Sequence, residues 1–301
     1  SQCLDAGLVQ ALLGHLLADG SEIGTLVDNF PTQILRRREV LSRIPGSQVV
    51  AVMDLTIDDD NIGVMPQLST SILHELLHDL HRHGWAGFVA RERFPGDHDT
   101  ELAYLARAAW DPDADPDKIA LEQLSAACGQ RCGADLLTTM HSIDAATVVW
   151  ERVDQHFTSP VPDMLMTHWI AGPLPDYLEE NRKNYEQGWK AAQRAALAAT
   201  PEGKSYAEYW AKRMEFSVKF IMVVESVRRA ATAEAAHQTR QAVEETIKAQ
   251  TLLKESIEAY AAVARNQTDR GAIALAVEYG YRALGKKLSE LKAMGNGAAG
   301  Q

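Results

Sequence analysis

The residues best suited to chemistry gather in two short stretches. In the first, an apolar run from Trp85 to Ala90 breaks into Arg91, Glu92, Arg93, Asp97, His98, Asp99 and Glu101. An apolar strand that opens onto charged side chains is the arrangement α/β proteins use for catalysis, because loops after parallel strands carry the reacting groups. A second apolar run, QVVAVMDLTI at 48–57, holds Asp54 within it and is followed by Asp58, Asp59 and Asp60. Paired carboxyl groups suit hydrolysis of a glycosidic bond. One protonates the leaving oxygen, and the other acts as a nucleophile or as a base through water.

On this reading Asp54, Glu92 and Asp97 are the catalytic candidates. Arg91, Arg93, Trp85, Asp58 and His98 are the substrate-binding candidates. Asp54 inside an apolar strand is costly to leave unpaired, so its other reading is an ion pair with an arginine such as Arg91. The Asp58–Asp60 run also reads as a solvated turn or a helix cap. Arg91 and Arg93 suit bidentate binding of a sugar carboxylate, or neutralisation of their acidic neighbours. Trp85 and Trp110 suit either a stacking platform or a packed core.

A rival motif is His74-Glu75-Leu76-Leu77-His78. On a helix the i, i+4 spacing puts both histidines on one face, where they can bind zinc while Glu75 acts as base. His81 extends that face and His83 lies further round. No third histidine follows at the usual spacing, and Leu73, Leu76, Leu77 and Leu80 form an apolar stripe on the same segment. The histidines are therefore expected on the outer flank of an ordinary helix, with no metal or other cofactor.

The elements that must position these residues follow from hydropathy. Segments 48–57 and 85–90 read as buried parallel strands. Residues 69–83 read as the helix between them, with Ser69 or Ser71 as N-cap and Gly84 as its stop. Helices are also expected at 8–17 and 33–43. From residue 99 the chain is helical, apart from an irregular segment at 159–175, with long helices at 177–199, 205–238, 241–266 and 269–292. The expected fold is an α/β partial (β/α) barrel over 1–98, an all-α helical bundle over 99–294, and an unstructured tail at 295–301. Cys128 and Cys132 in CGQRC read as small buried residues, or as a disulfide if their Cα atoms approach closely enough. Asn266-Gln267-Thr268 is a glycosylation sequon that matters only in a secreted eukaryotic chain.

The segment AYLARAAWDPDADPDKIALEQLSAACG at 103–129 resembles the junction in α-glucuronidase-like glycoside hydrolases. There a (β/α)8 barrel passes into a helical C-terminal domain. The turn is Trp110-Asp111-Pro112, and MEFSVKFIMVVESVRRAATAEAA at 214–236 is similar in character to the long helix of such domains. The resemblance implies a carbohydrate substrate and strand-end carboxylates. It also implies that half of the barrel is missing here, to be completed by a second copy or a complementary chain. Across 301 residues the formal net charge is −11, which disfavours a nucleic-acid partner. No apolar run reaches the roughly 20 residues that span a bilayer, so no membrane is expected. No leader is visible, and the cellular location is open.

Overall fold

The computed structural model describes residues 27–29, 31–36, 38, 50–55, 64–91, 96–153, 157–158 and 161–298. Strands β1 (Val27–Asn29), β2 (Val50–Asp54) and β3 (Gly87–Arg91) form a parallel sheet in the order β1-β2-β3. Helix α1 (Pro31–Arg36) follows β1, and helix α2 (Thr70–His83) connects β2 to β3. The βαβ unit expected from the two apolar runs is therefore present, with both strands shorter than the runs themselves. Gly84 ends α2 in the left-handed conformation, as its position predicts. The segment 8–17 and most of 33–43 lie outside the described residues.

Beyond the sheet the chain is helical: α3 (Asp99–Ala108), α4 (Pro116–Cys128), α5 (Gln130–Val153), α6 (Asp176–Ala198), α7 (Lys204–Ala235), α8 (Thr239–Ala261), α9 (Gln267–Leu275) and α10 (Arg282–Ala298). A π-helical turn, Ala276–Tyr281, joins the last two. The protein is mostly helical, and among the described residues the sheet has three strands and closes no barrel. The partial-barrel expectation is met only as a small parallel sheet with flanking helices. A closed (β/α)8 barrel needs eight such strands. Helix α10 also runs through Ala298, into the segment expected to lack structure. A helix already nucleated extends at little cost.

Among the described residues two large cores hold this together, with a small third cluster of Ala233, Ala242 and Leu291 where α7, α8 and α10 meet. The leucine stripe of α2 (Leu73, Leu76, Leu77, Leu80) packs on Ala51, Met53, Leu55 and Trp85, joined by Ile34 of α1 and by Tyr104 and Leu105 of α3. Bulky residues of the bundle make the second core, among them Trp150, Tyr185, Trp210, Phe216 and Phe220. Val64, Met65 and Leu68, from the connection between β2 and α2, insert into it. Their backbone polar groups stay satisfied there. The Tyr185 hydroxyl donates to the Pro66 carbonyl at 2.9 Å, and the Leu68 N–H donates to Thr147 Oγ1 at 3.0 Å. Cys128 and Cys132 form a disulfide with Cα atoms 5.7 Å apart, across the Gly129 break between α4 and α5. Gly203 packs so closely on Cys128 that a Cβ there would sit 2.3 Å from the Cys128 Cα.

The loop before α3 is fastened to the bundle by a buried ion pair. Arg213, fully buried, donates to Asp97 Oδ2 at 3.1 Å and also to the Val64 carbonyl. Tyr209 donates to Asp97 Oδ1 at 2.5 Å, its hydroxyl oxygen lies 3.2 Å from Asp269 Oδ1, and Tyr260 donates to Asp269 at 2.7 Å. The Arg213 guanidinium also lies 4.4 Å from the centre of the Tyr260 ring. Replacing Arg213 by Met leaves a buried carboxylate with only the more distant Arg265, 3.9 Å away, as a cation. The expected loss is about 3–5 kcal/mol by chemical denaturation. Combining it with Asp97→Asn should recover part of that loss, and an additive double variant would show that the pair is not coupled.

Candidate functional sites at the strand tips and beside helix α2

Parallel register places Asp54 directly beside Arg91 at the C-terminal ends of β2 and β3. The Leu55 N–H donates to the Arg91 carbonyl at 3.2 Å and holds the two tips together. Arg91 is partly buried. The side chain of Asp54, together with Asp58, Asp59, Asp60, Glu92 and Arg93, lies outside the described residues.

Other expected site residues sit elsewhere. Asp97 is only 3% exposed, and its oxygens are taken by Arg213 and Tyr209. It is an internal anchor rather than a group open to substrate. His98 is buried as well, with Nδ1 at 2.5 Å from Glu101 Oε2. Trp85 is 8% exposed and belongs to the sheet core, stacked near His83. It offers no platform for a ring, because burying its large apolar face is what closes that core. Trp110 is the opposite case, 89% exposed just after α3. Asp99 lies in the first turn of α3, where a carboxylate complements the helix dipole.

Several polar groups in the same region were not anticipated. Ser69 precedes α2 but makes no side-chain cap. Acids from other helices take the exposed N–H groups instead. The Ser69 N–H donates to Glu101, and the Ser71 N–H donates to Asp144 Oδ1 at 3.2 Å. The Ser69 hydroxyl reaches Glu151 Oε1 at 3.5 Å. Burial pushes the Asp144 carboxyl up to about 6 and the Glu151 carboxyl up to about 8, the latter with help from Asp144 and against the pull of Ser69 and Arg36. A signal for this was present. Asp144, Thr147 and Glu151 recur at helical spacing and form a polar line along one face of α5.

Beside this cluster, α2, α4 and α5 enclose a cleft of about 670 Å³. His74 and His78 line it with Asp115, Asp117, His141 and Asp144. The two α2 histidines do share a face, with ring centres 4.5 Å apart. His74 Nδ1 is hydrogen-bonded to the Tyr104 hydroxyl at 2.7 Å, and burial with the neighbouring His78 lowers its pKa. The histidines thus flank a cleft under the bundle rather than the open outer face of a helix. Glu75 points elsewhere and pairs with Arg38, so the His-Glu-His arrangement of a zinc peptidase is not assembled. His81 ties α2 to α3 through the Ala108 carbonyl, 2.8 Å away. Among the described residues, no group of three or more His, Cys, Asp or Glu is placed to hold a metal ion.

The raised Glu151 pKa has a consequence for stability. Above about pH 4.5 the unfolded chain has released this proton, while the folded chain keeps it until about pH 8. The folded state binds more protons in that window, so stability declines across it and levels off above. Glu151→Gln removes the titration and keeps an acceptor for Ser69. Melts at pH 5 and pH 8 should show a smaller fall for the variant than for wild type, by at least about 2 °C. Equal slopes would show that Glu151 ionises normally.

No family model, curated protein or solved structure matches this chain.

Proposed function

We propose that this chain acts in the hydrolysis of a glycosidic bond, at the C-terminal tips of β2 and β3. The observation that carries the reading is the register that sets Asp54 beside Arg91 at the ends of adjacent parallel strands. Strand tips of this kind are where parallel α/β folds place their chemistry. The resemblance of the Trp110-Asp111-Pro112 junction to α-glucuronidase-like hydrolases supports the same reading.

Asp54 and Glu92 form the working carboxyl pair. One protonates the leaving oxygen; the other attacks the anomeric carbon or activates water. Arg91 keeps its neighbour ionised or holds the carboxylate of an acidic sugar. Among the described residues the three strands do not enclose a substrate, and Val89 on β3 is 52% exposed. A second copy or a complementary chain covers this edge, because an open strand edge otherwise invites uncontrolled pairing.

Two readings compete. His74 and His78 share a face with ring centres 4.5 Å apart, which favours a zinc hydrolase, whereas the Glu75–Arg38 pair counts against it. A carbohydrate-binding or assembly module without catalysis would need no carboxyl pair at all.

Aryl glycosides and oligosaccharides, including uronic acid derivatives, test the proposal. Asp54→Asn and Glu92→Gln should each lower kcat by at least ~100-fold with melting unchanged. Wild-type turnover in both variants would remove these residues from the site. A wild type that cleaves none of the panel would favour the binding module. Light scattering should find assemblies larger than one chain, and a strict monomer over a wide concentration range would refute the covered edge.

A further inference from the structure

We propose that the cleft between α2, α4 and α5 binds a small hydroxylated organic cation, of which an amino sugar is the chemical type. The proposal does not rest on the hydrolysis reading.

Its lining sets the chemistry. Asp113, Asp115, Asp117 and Asp144 contribute four carboxyl groups, and among the described residues no lysine or arginine faces them. Two of these carboxylates already have bonded partners that orient them. Asp115 Oδ1 accepts the N–H groups of Asp117 and Lys118, at 2.9 and 3.2 Å, where it caps α4. Asp117 Oδ1 is bonded to His141 Nε2 at 2.7 Å. Acceptors fixed by the fold lose little entropy when a ligand arrives. The Ser71 N–H at the start of α2, which would otherwise attract an anion, is already satisfied by Asp144.

The remaining surface discriminates further. Ala114, Ala120, Leu137 and Met140 give the cleft an apolar wall that suits a carbon skeleton. The hydroxyls of Thr70, Ser71 and Thr100 suit a ligand that carries its own hydroxyl groups. His74, its pKa lowered and its Nδ1 bonded to Tyr104, stays neutral near pH 7 and does not oppose a cation. The titratable groups that face the ligand are His74 and His78 from α2, Asp113 and Asp115 from the turn before α4, Asp117 from α4, and His141 and Asp144 from α5. Acidification neutralises Asp144 near pH 6, and that change weakens the hold on a cation.

Calorimetric titration of the full chain at pH 7.5 with glucosamine, glucose, glucuronate, spermidine and zinc decides the matter. Glucosamine should bind at least ~10-fold more tightly than glucose or spermidine, and glucuronate should give no heat. Asp117→Asn, which melts as wild type, should weaken glucosamine at least ~10-fold, and so should a shift to pH 5.5. The proposal is overturned if glucosamine does not bind, if glucuronate binds as well, or if spermidine matches glucosamine. It is equally overturned if zinc alone binds and the His78→Ala variant abolishes that heat.

Discussion

The buried contact between Asp97 and Arg213 is what the rest of the architecture depends on. Asp97 belongs to the loop that leaves the sheet, and Arg213 to the first half of α7, the longest of the described helices. Neither charge reaches solvent. A buried charge is tolerated only when its partners are complete. Here Arg213 has a carboxylate, a backbone carbonyl and an aromatic face, while Asp97 has a guanidinium and a phenol. Such a pair adds no more to stability than a well-packed apolar contact of the same size. It does specify a single placement, because a shift of the loop by one residue would strand both charges.

The same logic appears a second time at the start of α2. Its first N–H groups face the bundle instead of water, so they need acceptors from outside the helix. Glu101 and Asp144 supply them, and Glu151 lies behind with its carboxyl held largely protonated by burial. A protonated acid can donate as well as accept, which suits a crowded site where three carboxylates would repel one another. Between the two clusters, the chain from Val64 to Leu68 lies inside the bundle core with its backbone bonded to Tyr185, Thr147 and Arg213. The sheet and the bundle are thereby coupled through polar contacts on both sides of an apolar plug.

The strand tips and the cleft both lie close to these couplings in the chain. Arg91 is six residues before Asp97 by sequence number. Ser71 and Asp144, which close the start of α2, also line the cleft. Groups that must hold a substrate to within a fraction of an ångström need supports whose own rotamers are locked. Buried ion pairs and backbone-bonded carboxylates are supports of that kind.

The sequence by itself determined the elements. Apolar runs at 48–57 and 85–90 gave the two strands, the leucine stripe gave the buried face of α2, and Gly84 its end. Periodicity also placed the long helices to within a few residues. Those signals are local, since each depends on which face of one segment is apolar. What tertiary structure alone decided is the fate of the charged residues. Asp97 and His98 have the same composition around them as a reactive site would have, yet they are sealed inside by Arg213 and Glu101, which lie 116 and 3 residues away in sequence. The zinc-like spacing of His74, Glu75 and His78 was correct as a helix face, but Arg38 turns Glu75 away. The acids of α5 looked like part of a solvated bundle until α2 was docked against them. Whether a carboxyl group is a catalyst, a cap or an anchor is set by its neighbours' charge and by exclusion of water, and neither can be computed from spacing along the chain.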